Sequence, residues 1–565
     1  MKAALAGGLL GAALFLAIDG PEIVRPTNLG WTMRHDLQTY VLAWTHFRHT
    51  PWQWPLGAVP AVGHPVGTSI GNADAIPVAA FALKPLQAVL PEPFQYLGAW
   101  LLACFVLQGV FGALLVGLAT PDWRLQVLGA ALFVQVPALI NRTGHPALCA
   151  HWLLLASIWL LVDGMRASRR WHVGAWLTLS ALVAATQPYL AAMVLALAVS
   201  ALGNRAWGQR PARRALAGLA ANVLAVAVVT GLVFWQCGYF LVGSAGALQS
   251  AGLGYYSMNL LAPVIGMGYS TLLPEIPLAT QGQYEGHVYF GLGWLLVTVV
   301  AIVVAARRRG AMPRLGLGWL AVAACTVMAV SPVVTFGAAT LIDLNAWAPA
   351  SMAMFRSSGR FGWVSMYAVF ALTAMVVVSR LPRRTALAVL AGAVVLQAVD
   401  LSAAYRAIEG RRQSAWWTDY DSPMKSPAWE VLVPAYRHLA MAPPDMCTEV
   451  WAPAAGPHLP FSLMAGSHGV TINSGNAGRY DLAEVLRYCA TLEADLRAGR
   501  VDDESLYVLS PAMRAVLGAA TRRPLACGVL DGFDVCTAAD TWSRWQVAAS
   551  RAGFTATAVG PAARP

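Results

Sequence analysis

The stretch FGWVSMYAVFALTAMVVVSRLPRRTALAVLAGAVVLQAVD, residues 361–400, decides the fold class. It holds two apolar runs, 361–380 and 384–400, joined through Arg380-Leu381-Pro382-Arg383-Arg384. A helix needs roughly 20 apolar residues to cross a hydrocarbon core of about 30 Å, and each run comes close. A turn this basic reads as cytoplasmic.

Working outward, further apolar runs fall at approximately 3–19, 95–119, 125–141, 149–165, 172–186, 188–203, 214–235, 288–306 and 315–332, about eleven in all. The fifth and sixth meet at Thr186-Gln187-Pro188, a tight outer hairpin. With the N-terminus inside, the inner loops carry Lys2, Arg124, Arg166, Arg169, Arg170, Arg205, Arg210, Arg213, Arg214, Arg307, Arg308, Arg309, Arg314, Arg380, Arg383 and Arg384, opposed by Asp122 and Asp163. Every alternate loop obeys the positive-inside bias, which places the C-terminal region outside. The expected fold is thus an α-helical polytopic membrane protein, N-terminus in, C-terminus out. The chain of 565 residues is 58% hydrophobic and 12% charged, against about 25% charged for soluble proteins. A net charge of +11 would also suit nucleic acid, but the arginines sit in clusters between apolar runs, so no nucleic-acid partner is expected. The first run resembles a signal peptide but lacks a convincing small-x-small cleavage site. Ala75–Val89 is apolar too, yet counting it as a span would put the arginine clusters outside. It reads as a helix lying at the outer interface.

Four outer segments are long or polar: 20–94, 142–148, 236–287 and 333–360. Function is therefore expected on the outer face, where loops build sites on a rigid scaffold. Residues 1–400 form the membrane domain in this reading, and 401–565 an extracytoplasmic one in which charges of both signs are interspersed. Candidate strands there are Cys447–Trp451, Val470–Asn473, Leu506–Leu509, Cys527–Leu530 and Phe533–Cys536; candidate helices are Ala428–Leu439 and Leu482–Ala498. Alternating helix and strand predict a small mixed α/β domain. Asp531-Gly532 forms a two-residue hairpin turn that opposes Cys527 and Cys536 within disulfide reach. Cys447 and Cys489 then pair by elimination. Cys104, Cys149, Cys237 and Cys325 lie in or beside spans and read as packing residues.

Asp36, in Arg34-His35-Asp36, is a carboxylate near the outer surface, suited to accepting a proton from a hydroxyl or to capping the helix that follows. Asp74 is a weaker candidate of the same kind, or a cap for the interfacial helix. Arg356 and Arg360, four residues apart, would share one helical face and clamp a phosphate, unless they pair with Asp343 or Glu285 or reach lipid headgroups. Arg142, His145 and His151 flank the fourth span; on one helix the two histidines would diverge by about 120°, which disfavours a metal pair. Glu285 is a second carboxylate able to face the site or form an ion pair. Trp31, Trp44, Trp52 and Trp54 read as interfacial anchors or sugar-stacking rings. No P-loop, HExxH, Gly-x-Ser-x-Gly or dinucleotide fingerprint occurs, and no internal repeat supports an inverted-repeat transporter.

The first span, the large outer loop with Asp36, the many further spans and the domain from about 401 resemble the C-type (GT-C) glycosyltransferase superfamily. The tracts Asp36-Leu-Gln-Thr-Tyr-Val-Leu-Ala-Trp44, Phe94-Gln-Tyr-Leu-Gly98, Tyr284-Glu-Gly-His-Val-Tyr289 and Phe355-Arg-Ser-Ser-Gly-Arg360 look like an uncharacterised bacterial family of large membrane proteins. The superfamily likeness implies sugar transfer from a polyprenyl-phosphate donor to a cell-envelope acceptor, with Asp36 as base, Arg356 and Arg360 on the donor phosphate, and a divalent metal as a candidate cofactor. The superfamily often pairs acidic residues in this loop, whereas Asp36 stands alone here. The implied location is the bacterial inner membrane, with the C-terminal domain periplasmic and membrane lipid as a partner. The competing expectation is a non-enzymatic transporter or assembly protein for surface polysaccharide, which calls for a polar path through the spans.

Overall fold

The computed structural model describes all residues except 168, 208–211, 242–251, 308–313, 449–450, 452–453, 455, 476–478, 480, 522 and 560–565. Arg210, Arg308 and Arg309, expected in the inner loops, lie outside the described residues. The chain divides into two compact units. One comprises Met1–Arg25, Tyr96–Val233 and Leu248–Trp417; the other comprises Pro26–Gln95, Phe234–Ala247 and Thr418–Pro565.

The first unit is helical, and each of the expected apolar runs lies on a helix. Among the described residues, five helices are long and apolar enough to cross a membrane: Leu97–Gly117, Pro146–Arg166, Pro188–Trp207, Ala212–Gln236 and Ser358–Arg380. The pair Arg383–Asp400 and Ser402–Arg412, bent by 49°, makes a sixth if taken as one span. The remaining runs form shorter helices because backbone breaks cut them. Trp123–Val134 stops before Pro137, Leu292–Arg307 starts after Gly291 at φ +77°, and Gly318–Val330 ends at Ser331 with φ +66°. Burial separates the long helices. The apolar window of Ser358–Arg380 is 78% buried and that of Ala212–Gln236 only 11%, so Leu216, Leu224, Val228 and Leu232 of the latter point outward, as lipid-facing residues do.

Helix Lys2–Ile18 is part of this packing. A Cβ on Gly7 would lie 2.4 Å from the Gly109 carbonyl oxygen, and one on Gly11 2.0 Å from that of Phe105. Small residues here let two backbones touch, the usual way helices associate where lipid removes the hydrophobic drive. At the centre, Trp294 stacks on Phe370 at 4.1 Å and donates its Nε1–H to the Leu132 carbonyl at 3.1 Å.

The second unit carries a six-stranded sheet in the order Thr557–Val559, Leu525–Leu530, Phe533–Ala538, Ser505–Leu509, His438–Ala442, Thr471–Ile472. The last three run parallel and the others antiparallel. The hairpin turns at Asp531 and Gly532, φ +49° and +83°, and pairs Cys527 with Cys536 in register. Both expected disulfides, Cys527–Cys536 and Cys447–Cys489, are formed; Cys104, Cys149, Cys237 and Cys325 are free and buried. The helix expected over Ala428–Leu439 is a single turn, Trp429–Leu432, followed by a 3-10 turn at Val433–Ala435 and then by the strand His438–Ala442. Cys447–Trp451 is not a strand: Asp445–Cys447 forms a 3-10 turn, and residues 449–450 lie outside the described residues.

The segment Pro26–Gln95 packs within the same unit. Its helix Leu37–His49 meets helix His458–Ser467, with the His46 Nε2–H donating to the Ser462 carbonyl at 2.9 Å. The stretch expected at the interface is a helix of Pro77–Leu83 followed by a 3-10 turn. Lys84 at its end is buried, with Nζ 3.8 Å from the Phe47 ring centroid and 4.5 Å from that of Trp52. Trp31 and Trp44 are core residues rather than surface anchors, while Trp52 and Trp54 are exposed.

Candidate functional site

Two of the distinctive sequence tracts meet in the first unit. Gly359 and Gly286 lie back to back: a Cβ on Gly359 would come within 2.5 Å of Gly286 Cα. That close approach, open only to glycine, brings the residues beside them together. Arg360 donates from Nε and Nη2 to the two Glu285 carboxylate oxygens at 2.9 and 2.7 Å. Arg142 reaches the same carboxylate from the turn after Pro137–Ile140, at 2.8 Å, and donates to the Glu285 carbonyl at 3.2 Å. Burial alone would raise the Glu285 carboxyl; the guanidiniums of Arg360 and Arg142 overcome it and hold the group down at about 2. All three residues are buried. Two guanidiniums share one carboxylate out of water.

Aromatic faces complete the cluster. Arg360 lies 4.6 Å from the Tyr189 ring centroid and Arg142 5.4 Å from that of Trp363. His151 packs on Trp363 at 4.3 Å and shares a 2.8 Å hydrogen bond with the Tyr367 hydroxyl. That hydroxyl also accepts from Gln108 Nε2 at 3.0 Å.

Arg356 and Arg360 do not share a helical face. Both precede the helix that starts at Gly362: Arg356 follows the 3-10 turn Ala350–Phe355 and Arg360 lies on the next one, Ser358–Phe361, so the fourfold spacing loses its meaning. Arg356 is exposed, 5.7 Å from the Tyr256 ring centroid. His145 and His151 are not on one helix either: Pro146–Cys149 is a 3-10 turn, and the α-helix starts at Trp152. His145 is half-buried and acts on the Glu285 carboxylate.

Asp36, Arg34 and His35 belong to the second unit and are exposed. Asp36 holds the N-cap position of helix Leu37–His49, but its side chain makes no capping hydrogen bond. Asp74 sits at φ +53° and does not cap the interfacial helix, whose N-cap is Ile76. Among the described residues no three His, Cys, Asp or Glu side chains gather as metal donors.

Two polar groups in the first unit escaped the sequence reading. Asp400 ends the helix Arg383–Asp400 and accepts from the Tyr289 hydroxyl at 2.6 Å and the Leu292 amide at 3.1 Å. Asn259, Gln283 and Thr335 form a buried network, with Gln283 Nε2 donating to Thr335 Oγ1 at 2.7 Å. An aspartate closing an apolar run was the available signal for Asp400; the amide network left none, since its members are up to 76 residues apart.

The domain of unknown function DUF6311 matches residues 8–402, and the DUF6311 C-terminal domain matches residues 428–538. No curated protein matches the chain. Among solved structures, the archaeal oligosaccharyltransferase AglB from Archaeoglobus fulgidus, in complex with an inhibitory peptide and a dolichol-phosphate, is similar over 93% of this chain and 72% of that chain, at 11% identity and a TM-score of 0.38.

Proposed function

We propose that this chain, which belongs to the DUF6311 family, is a membrane glycosyltransferase that moves a sugar from a polyprenyl-phosphate carrier to a cell-envelope acceptor on the outer face of the bacterial inner membrane. The observation that carries this reading is the Arg142–Glu285–Arg360 cluster, which fixes two buried guanidiniums, that of Arg360 close in sequence to the exposed Arg356, a group able to bind a phosphate. In this reading exposed Arg356 contacts the donor phosphate. Arg360, held rigid by Glu285, adds its field, and the prenyl tail lies in lipid among the apolar helices. As the bond between the anomeric carbon and the phosphate oxygen breaks, the phosphate leaves as an anion that needs no strong general acid. The acceptor hydroxyl oxygen bonds to the anomeric carbon, and its proton passes to Asp36.

Two further observations support one-sided chemistry outside the cell. Segments Pro26–Gln95 and Thr418–Pro565 share one compact unit, which requires an even number of crossings between them, as in the arrangement of eleven spans. Among the described residues, the five long apolar helices carry Asp, Glu, Lys and Arg only near their ends, so the polar path that a transporter needs finds no charged groups at mid-membrane. The test is lipid mass spectrometry on the purified protein, together with transfer assays. A polyprenyl phosphate should co-purify and be depleted in Arg356→Ala. Asp36→Asn should fold and lose transfer. Full activity of Asp36→Asn would remove that residue from the mechanism, and absence of any bound polyprenyl phosphate would remove the donor assignment.

A further inference from the structure

The second unit contains a cleft of about 420 Å³ with no part in the reading above. Its floor is one face of the parallel strands, contributed by His438, Ala440, Thr471, Ser505 and Tyr507, and helix Leu482–Arg497 covers it with Tyr488 and Leu492. One wall comes from far away in sequence. The turn at His64-Pro65 is docked by a bridge between Val62 and Ile472, with the Ile472 amide donating to the Ala61 carbonyl at 2.8 Å and the His64 amide to the Ile472 carbonyl at 2.9 Å.

The lining alternates flat rings with hydrogen-bonding groups. His64 and His438 stack at 4.7 Å with an interplanar angle of 13°. The hydroxyls of Tyr488 and Tyr507 are anchored, accepting from Asn473 Nδ2 at 2.9 Å and the Asp502 amide at 2.8 Å, which fixes both rings. At the rim, Arg500 pairs with Asp495 at 2.9 Å, and Asp502 accepts from the Ser505 hydroxyl at 2.6 Å. Two carboxylates against one guanidinium make the rim slightly acidic, which disfavours phosphates and nucleotides. A purely apolar ligand would strand these charges. Sugar rings suit both halves of the lining: their C–H faces lie on flat rings, and their hydroxyl edges pair with carboxylate and guanidinium.

We infer that this cleft binds a neutral saccharide of roughly one to three rings, a size set by its volume. Binding here needs neither Asp36 nor Arg356, so the inference stands apart from the transferase reading. The first outer loop supplies a wall of the cleft, so a bound saccharide would also hold that loop against the C-terminal domain.

Saturation-transfer difference NMR on the full-length protein in detergent tests this, with glucose, galactose, mannose, rhamnose, N-acetylglucosamine, maltose and chitobiose as probes at millimolar concentration. Transfer to the ring protons of at least one sugar is expected. It should fall at least fivefold in Leu492→Trp, which fills the cleft, and several-fold in His64→Ala. If Leu492→Trp does not fold, the exposed Arg500→Ala takes its place, with a several-fold loss expected. No transfer to any of the sugars, or equal transfer to the wild type and the folded cleft variants, overturns the inference. Sugar binding without any glycosyl transfer would leave it standing and remove the transferase reading; transfer activity without binding at this cleft would do the reverse.

Discussion

Glu285 shows what a single side chain can hold. Its carboxylate faces two buried guanidiniums, and removing one partner of a buried ion cluster leaves charge without compensation. Glu285→Gln is expected to cost about 3–5 kcal/mol of stability, read as a fall in the thermal midpoint of the detergent-solubilised protein. A change below about 1 kcal/mol would mean that water or lipid already neutralises the arginines. His46 makes a separate prediction. Burial, with His49 adding repulsion, depresses its imidazole to about 4. The unfolded chain takes up that proton near 6.5, so between pH 6.5 and 4 the unfolded state binds more protons. The contribution is complete above pH 6.5 and is lost as pH falls towards 4, by about 3 kcal/mol at most. His46→Gln, whose amide can still donate to Ser462, should flatten the loss of stability across that window. An unchanged slope in unfolding measured against pH would assign the acid sensitivity elsewhere.

Elements in this molecule are positioned by glycine as much as by apolar surface. The turn at Ser358–Phe361 reaches the turn at Gln281–Gly286 only because Gly359 and Gly286 present no side chain. Gly359→Ala should force these turns apart, weaken the Arg360–Glu285 pair and lower stability by about 1–3 kcal/mol, as overpacking does. A crystal or cryo-EM structure of that variant with the bidentate pair intact would contradict the account. The same logic holds where Gly7 and Gly11 of helix Lys2–Ile18 meet the backbone of Leu97–Gly117. Composition suggests only an apolar helix there; the small residues make it a packed one.

At the scale of the whole molecule, a few-residue turn and a distant domain belong to one body. The Val62–Ile472 bridge and the His46–Ser462 bond tie Pro26–Gln95 to the C-terminal sheet. The topology proposed above, with both segments on the outer side, is consistent with that shared unit. Periplasmic reporters such as alkaline phosphatase, fused after residue 94 and after residue 417, should both be active, and cytoplasmic reporters such as green fluorescent protein dark at the same points. Opposite signals at the two positions would break the shared unit, and cytoplasmic signals at both would invert the topology.

Hydropathy, charge and turn chemistry are local, and what they govern was legible in the sequence. The apolar runs became helices, the Asp531-Gly532 hairpin opposed Cys527 to Cys536, and four cysteines in one domain left one partner for Cys447. Helix length was less legible, because proline and positive-φ breaks shorten runs that composition alone lets continue. The residues 428–442 failed for a related reason: apolar spacing suits helix and strand alike until a neighbouring strand claims the backbone hydrogen bonds, here His438–Ala442 against Ser505–Leu509. The choice of partner for each buried charge lay wholly in the tertiary structure. Arg142, Glu285 and Arg360 converge across 218 positions of chain, since a charge removed from water takes whatever opposite charge the packed backbone delivers, and no local pattern encodes that delivery.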